Sequence, residues 1–529
     1  MTLNEKIKDS VQKTTGIRCY EGVPPEGVVG RFAYFFPLRS GAAKRYNEVA
    51  IFFMERPVFT PLSPEKATND CRYLALNWLN GLYAYSGLKF QDILSQNNTR
   101  DNFGGYGVGL RLVLVDEARH TGGSTPVDKK NYFRMTVDGT SAVVGWTGTY
   151  PDLEYRKEGD EWTYFTQNVT FYTWIEFRLK DGSTWSPTSY SNHFSIQTEG
   201  ANDHVILSGN IMSLVDPTLE STTISINYCF YGLFDRCKSI VSAENLELPA
   251  TTLGMACYAG MFDGCTSLTT APVLPATTLA SNCYESMFNG CTSLTTAPEL
   301  PATTLAYRCY SSMFKNCTAL TQAPELPATT LAEYCYDSMF WHCTSLTTAP
   351  ELPATTLAQV CYRYMFYGCT GLTTAPNTLP ATTLAEYCYY YMFNDCTSLT
   401  TAPELPATTL AQGCYQSMFF GCNGLTTAPA LPATTLATHC YNSMFQNCTA
   451  LTTAPELPAT TLKNYCYNYM FYGCTSLNYI KCLATNPTTT SCPDWVNGVP
   501  STGTFVKYAQ ASWTTGTSGI PSGWSVQNA

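Results

Sequence analysis

Twenty-four cysteines dominate the chemistry open to this chain of 529 residues. Twenty of them form ten pairs eight residues apart, from Cys229/Cys237 to Cys466/Cys474, while Cys19, Cys71, Cys482 and Cys492 stand outside the series. Thiols in such number can cross-link, hold zinc or simply fill an interior. The Cys-x7-Cys spacing matches no usual zinc set. The five histidines, at 120, 193, 204, 342 and 439, fall in neither metal-binding nor Ser-His-Asp spacings. His342 and His439 occupy positions held by Gly, Asn or Tyr in sister units, so they read as interchangeable surface choices. Gly104-Gly105-Tyr-Gly107-Val-Gly109 is glycine-rich but lacks the Lys-Ser/Thr of a phosphate loop, and reads as a turn before a strand. Nothing points to paired carboxylates for glycoside cleavage. The expectation is no catalytic residue, no metal and no cofactor.

The cysteines follow a repeat. Leu274-Pro-Ala-Thr-Thr-Leu279-Ala-Ser-Asn-Cys283-Tyr-Glu-Ser-Met287-Phe288-Asn-Gly-Cys291-Thr-Ser-Leu294-Thr-Thr-Ala-Pro298 recurs every 26 residues, with equivalent cysteines at 257, 283, 309, 335 and 361. After a one-residue insertion near Asn377 and Thr378 the series resumes at 388, 414, 440 and 466. A fixed period of this length means a solenoid, whose units stack and do not fold alone. Solenoids are mostly binding surfaces, which shifts the expectation from enzyme to recognition protein.

With the first cysteine of a unit at position 0, Tyr is at +1, Met at +4, Phe at +5 and the second Cys at +8. At 100° per residue these lie within an arc of about 140°, the apolar stripe of an amphipathic helical segment. Cys283, Tyr284, Met287, Phe288 and Cys291 then point inward. A helix separates positions 0 and +8 by roughly 12 Å, too far for a disulfide. Leu294 and Ala297 point inward from a short extended stretch, Pro298 and Pro275 mark corners, and Leu274 and Leu279 supply the other inward face. Each coil is thus expected to have one helical side and one or two short strands, with coils about 5 Å apart on the strand side. The cysteines read best as small buried hydrophobes in ladders of like residues; some disulfides are the alternative, and metal binding the third. The Leu-Pro-Ala-Thr-Thr runs superficially match a sortase signal but lack its Gly and repeat internally, so they read as turns.

The succession Met-Phe-x-x-Cys-x-x-Leu-x-x-Ala-Pro-x-Leu-Pro-Ala-x-x-Leu resembles the BspA-type (Treponema-like) leucine-rich repeat, with Met in place of the family's Ala and a unit about three residues longer. The resemblance covers residues 205–529. It implies a curved leucine-rich-repeat solenoid and a role in adhesion or ligand binding.

The fold class expected is multidomain: an α+β domain, a small antiparallel β-sandwich, then a leucine-rich-repeat α/β solenoid of about ten coils. Residues 1–118 read as a helix over Leu3–Thr15, a strand over Asn47–Met54, a longer helix over Pro64–Ser86 and a final strand over Tyr106–Asp116. That order, with Ile17-Arg-Cys-Tyr-Glu-Gly-Val-Pro-Pro-Glu-Gly27 after the first helix, is similar to phage tail-terminator or tail-completion proteins. The resemblance implies docking to other virion proteins, with Arg39–Arg45 a contact loop and a homo-oligomeric ring. The alternative is an unrelated α+β domain with a solvated loop. Residues 119–130 are a linker. Residues 131–200 alternate as strands, with Asp138-Gly139, Glu158-Gly159 and Asp181-Gly182 as turns, and read as a sandwich spacer or accessory module. Val205–Val215 is an apolar entry strand. The solenoid spans 205–477 with a degenerate first unit at Cys229–Cys237, and 478–529 is a cap in which Trp495, Trp513 and Trp524 cover the last coil.

A net charge of −10 without any basic run argues against nucleic acid. No stretch is long and apolar enough for a membrane helix. Met1-Thr-Leu-Asn-Glu-Lys has no secretory h-region, cleavage site or lipid-attachment cysteine, an expectation that favours a virion protein over an exported one.

Inward positions barely change between units, whereas −2, −1, +2, +3, +6 and +7 vary freely. In the eight units from Cys283 onward, twelve of those 48 slots are aromatic, a quarter, against 13% for the chain. They are Tyr307, Tyr334, Trp341, Tyr364, Tyr367, Tyr387, Tyr390, Tyr391, Phe420, Tyr465, Tyr469 and Tyr472. Aromatic density on variable positions is typical of recognition surfaces, and rigid rings stack on sugar faces. The alternative is that they only cover neighbouring coils; binding is favoured. The leading expectation is a phage tail or neck protein, made in the host cytoplasm, whose repeats bind a host-surface polysaccharide or protein. The runner-up is a bacterial cell-surface adhesin of the same repeat family.

Overall fold

The computed structural model describes residues 130–149, 151–185, 192–200, 202–216 and 218–529, together with five strands among residues 1–128. The chain divides into two compact units, Met1–Asp128 and Lys129–Ala529. In the first, β1 (Arg18–Glu21), β2 (Gly30–Ser40), β3 (Asn47–Arg56), β4 (Lys89–Arg100) and β5 (Tyr106–Val115) form one sheet in the order β1-β2-β3-β5-β4. Only β1 and β2 pair in parallel. Arg39 and Ser40 belong to β2, not to a loop, and Arg39 pairs with Glu48. The helices expected at 3–15 and 64–86, and the rest of the Arg39–Arg45 segment, lie outside the described residues.

The second unit opens with a sandwich. A three-stranded sheet joins β7 (Ala142–Thr147) to β10 (Val169–Phe171) and β12 (His193–Thr198). The facing sheet runs β14-β13-β6-β11-β8-β9, where β6 is Phe133–Asp138, β8 Leu153–Lys157, β9 Thr163–Tyr164, β11 Trp174–Leu179, β13 His204–Asn210 and β14 Ile240–Glu247. The apolar run Val169–Leu179 is therefore two strands, broken at Tyr172-Thr173 and divided between the sheets. The entry segment is also divided: β13 ends at Asn210, and Ile211–Leu214 turn as a 3-10 helix capped by the Asn210 side chain.

Sandwich and solenoid share one core. Strand β14 already belongs to the first coil, and its Ser242 bridges to Thr270 of the next. Phe194 of β12 stacks on Phe234 at 5.9 Å and 14°. The Cys237 thiol donates to the Phe194 carbonyl at 3.1 Å. Both relations are the ones each coil makes with the coil before it, so Phe194 stands in for a coil that is not there. Trp185 closes the same end by donating its indole N–H to the Cys229 carbonyl at 2.6 Å.

Among the described residues there is no α-helix, and the helical side expected for each coil is absent. Its place is taken by a ribbon of overlapping β-turns. In the coil of Cys283, the amides of Cys283, Glu285, Met287, Asn289 and Cys291 donate to the carbonyl three residues back, at 3.1–3.3 Å. The amides between them, of Asn282, Tyr284, Ser286, Phe288 and Gly290, donate to the next coil at 2.8–3.0 Å. Every fourth residue has a positive φ: Asn282 (61°), Ser286 (56°) and Gly290 (71°). The ribbon thus repeats every four residues, which is the spacing of its inward pairs, Cys/Tyr and then Met/Phe.

The interior of each coil is completed from short extended segments. Leu294 is fully buried, Leu274 is buried, and Leu279 and Ala297 are half-buried against them. Single parallel bridges such as Thr304↔Thr330↔Thr356 tie these segments coil to coil. The Tyr and Phe rings stack in two files, with centroids 5.4 Å apart at Phe234–Phe262 and 6.2 Å at Tyr441–Tyr467. All twenty paired cysteines are free and buried. A degenerate further coil follows, because Tyr467, Tyr469, Phe471 and Gly473 donate to Ser491, Pro493, Trp495 and Asn497. Trp495 is fully buried, stacks on Tyr467 at 5.9 Å, and is itself covered by Trp513 at 5.6 Å. Trp524 is buried and donates to the Pro500 carbonyl.

Candidate functional site

The turn ribbon decides which side chains reach the outside. Positions 0, +1, +4, +5 and +8 face inward, so +2, +3, +6 and +7 form an outer strip with one set per coil. Positions −1, +3 and +7 must tolerate a positive φ; the degenerate first coil has Arg236 at +7, and the regular coils use Gly264, Gly290, Asn316, His342, Gly368, Asp395, Gly421, Asn447 and Gly473. These are residue types that reach the left-handed region cheaply. His342 is thus constrained by its backbone, at φ 57°, and not an arbitrary surface choice.

The twelve aromatics do not behave as one set. Tyr307, Tyr465 and Tyr469 are exposed, and the other nine are half-buried. Eight gather over the coils of Cys309, Cys335, Cys361 and Cys388. Trp341 lies 4.4 Å from Tyr367, nearly parallel at 28°, and 5.0 Å from Tyr364. Tyr364 meets Tyr391 at 5.2 Å and Tyr390 at 5.5 Å, and Tyr387 meets Tyr390 at 5.7 Å. Tyr307 and Tyr334 touch at 5.8 Å, and the Arg363 guanidinium links them to the rest, 5.1 Å from Tyr334 and 5.4 Å from Tyr364. Tyr465, Tyr469 and Tyr472 form a second group near the C-terminal cap, where Tyr469 meets Tyr472 and Tyr465 stacks on His439. Phe420 lies apart from both.

The sequence reading missed the charged members of this patch. Arg308 sits 4.8 Å from the Tyr334 ring and Lys315 4.7 Å from the Trp341 ring. Arg363 holds Asp337 through two hydrogen bonds, at 2.7 and 3.0 Å. That pairing, ahead of burial, keeps the Arg363 guanidinium firmly charged. A signal was present: Arg308, Lys315 and Arg363 are the only Lys or Arg between residues 239 and 462. Burial, then the neighbouring Tyr391, raises the Tyr364 phenol above its ordinary value. Burial also raises Asp395, against the opposing pull of His342. The patch therefore presents neutral phenols, an indole and guanidinium–carboxylate pairs: flat apolar faces edged with hydrogen-bonding groups, able to bind without reacting.

A concavity of about 530 Å³ lies at another corner of the coils, lined by Ala323, Pro324, Glu325, Ala349, Pro350 and Glu351 among others. The coils contribute closely similar Pro-containing corners, which vary mainly at position +16 (Val273, Asn377 and Ala430 among glutamates), so this groove carries less of the unit-to-unit variation that marks the aromatic strip. Among the described residues no group of three or more His, Cys, Asp or Glu is placed to hold a metal ion. No described helix is long and apolar enough to cross a membrane.

The family profile "BspA type Leucine rich repeat region (6 copies)" matches residues 210–373, 258–407, 309–452 and 386–491. Together these matches span more than half of the 529 residues. No curated protein matches the chain. Among solved structures, a leucine-rich repeat protein from Bacteroides ovatus ATCC 8483 is similar at 16% identity, over 59% of this chain and 92% of its own, with a TM-score of 0.27. The match starts at residue 210 and leaves residues 1–118, and the tail-protein resemblance drawn there, outside it. On the span and repetition of these matches, the chain belongs to the BspA-type leucine-rich repeat family.

Proposed function

We propose that this is a non-catalytic recognition protein whose repeats bind a host-surface ligand of the glycan class through the patch centred on Trp341, Tyr364 and Tyr367. The observation that carries this is the joining of eight variable-position aromatics into one patch across four consecutive coils. Rings selected only to cover neighbouring coils would be spread along the solenoid, because every coil needs cover equally. The ring faces offer stacking area at low entropic cost, and the Arg363–Asp337 pair edges them with fixed polar groups suited to hydroxyls.

The setting that family membership favours is the bacterial cell surface, with the chain acting as a BspA-like adhesin. The virion reading drew on residues 1–118, where the family match does not reach. Protease shaving of intact cells tests the setting: loss of the repeats from whole cells supports the adhesin, and recovery of the chain in density-purified phage particles overturns it. A glycan array tests the ligand. Binding that disappears in Trp341→Ala but persists in Tyr469→Ser supports the patch. Equal binding by both variants shows that the site lies elsewhere.

A further inference from the structure

Position +6 forms a continuous column on the outer strip. Lys315, Trp341 and Tyr367 are its members in three consecutive coils, with the ammonium 4.7 Å from the indole and the indole 4.4 Å from the phenol. A linear ligand following this column meets one side chain per coil and runs parallel to the stacking axis.

Charge is sorted around the solenoid. The carboxylates of Glu299, Glu325, Glu351, Glu404 and Glu456 all sit at position +16, on the Ala-Pro-x-Leu-Pro corner. The three cations of the 239–462 stretch all lie against the rings of the patch. Two of the three are neutralised there, Arg308 by Glu285 at 3.5 Å and Arg363 by Asp337 at 2.7 Å. Lys315 has no ion-pair partner among the described residues; its ammonium rests on Trp341 and feels the Asp263 carboxylate only at longer range. Asp263, two coils away in the same column, is occupied by the Asn289 amide at 2.9 Å. Glu333 and Glu386 are exposed, but they lie at position −2, eight residues along the ribbon from the column.

Resting on the recognition function proposed above, we infer that this column is a subsite for an acidic polysaccharide. A sugar carboxylate would meet the Lys315 ammonium, and the sugars would run along the outward edges of Trp341 and Tyr367, whose facing sides are taken up by each other. The 239–462 stretch sets thirteen Asp and Glu against three Lys and Arg, and so repels an anionic chain in general. One ammonium without a close ion pair at the head of a ring column therefore sets both where such a chain lands and in which register.

The test uses the full chain and a set of polyuronates (polygalacturonate, alginate and hyaluronan), each beside its carboxyl-reduced form, with calorimetric titration. The expected result is binding of at least one polyuronate, weakened about tenfold or more by carboxyl reduction and by added salt. Lys315→Gln should lose about the same factor for the acidic polymer and clearly less for the reduced polymer, with Lys315→Arg restoring the acidic binding. Thermal melts of both variants confirm that the solenoid is intact. Equal binding of acidic and reduced polymers, abolished together by Trp341→Ala, overturns the acidic assignment and leaves glycan recognition standing. Binding of no polyuronate also overturns it. Failure of the wild-type chain on a broad array of neutral and acidic glycans overturns both.

Discussion

The Cys291 thiol donates a hydrogen bond to the Phe262 carbonyl oxygen at 3.2 Å, reaching from one coil into the one before it. The same bond recurs from Cys265–Phe234 to Cys474–Phe445, at 3.0–3.2 Å. It explains why +8 is always cysteine: the site needs a small apolar group that carries one weak donor. The cysteine at position 0 has no such regular acceptor.

The two cysteine positions should therefore answer differently to serine. At +8, Cys343→Ser keeps a donor facing the Phe314 carbonyl and should cost no more than about 1 kcal/mol. At position 0, Cys335→Ser buries a hydroxyl without a regular acceptor and should cost roughly 1–3 kcal/mol. Urea unfolding of the two variants checks this; equal losses would show that the thiol bond contributes nothing.

Burial pushes the Cys335, Cys369 and Cys414 thiols up to about 12 from an ordinary 9.0. The folded state thus holds those protons more tightly than the unfolded chain. Their contribution to stability is complete below about pH 9 and is lost as pH rises towards 12. We expect the melting temperature to be flat from pH 7 to pH 8.5 and to fall steeply above it. A thiol reagent at pH 8 should leave the 22 buried cysteines unmodified until denaturant is added.

Asn316 sits at φ 61°, in the +7 position where the ribbon requires a left-handed residue. Asn316→Val should destabilise by about 1–2 kcal/mol, whereas Asn316→Gly should be close to neutral. A circular-dichroism melt separates them; a tolerated valine would show that +7 accepts a strained residue as readily as −1 does at Val360 (φ 60°).

Trp495 covers the last regular coil and donates its indole N–H to the Gly519 carbonyl at 2.9 Å. Trp495→Ala should cost about 3–5 kcal/mol and loosen the C-terminal coils first, because an uncapped solenoid frays from its end. Hydrogen exchange should show lost protection near Tyr467 and Phe471 while the coil of Cys283 is unaffected.

The half-burial of Tyr364, Tyr367, Tyr390 and Tyr391 bears on their removal together. Because these rings pack on one another, changing all four to Ser should lower the melting temperature as well as ligand binding. The single Trp341→Ala change, read by binding and by melt in parallel, is the cleaner probe of recognition.

The period, the inward set and the reduced thiols were legible in residue order, because a stacked repeat forces like residues onto like and only the interior resists change. Cys283, Tyr284, Met287, Phe288 and Cys291 face inward under either a 3.6- or a four-residue period. Apolar spacing over nine residues therefore could not separate a helix from a turn ribbon. The Gly, Asn, Asp and His set at +7 was the available clue, since an α-helix has no use for a left-handed residue in every coil. Likewise, the twelve aromatics were visible in the sequence but their division into a joined patch, a terminal group and a lone Phe420 was not. Nor was the role of Phe194, which comes from another sheet to imitate the missing coil before Phe234.

What residue order determined was a stack of near-identical units with an apolar, thiol-rich interior, since 26-residue recurrence leaves no other way to bury those faces. What tertiary structure decided was where the backbone hydrogen bonds go. Half of each ribbon's amides are satisfied by the next coil, and an acceptor that exists only after stacking cannot be read from one unit. The same stacking brings Lys315, Trp341 and Tyr367, each 26 residues from the next, each to within about 5 Å of its neighbour and so makes a surface out of separate choices.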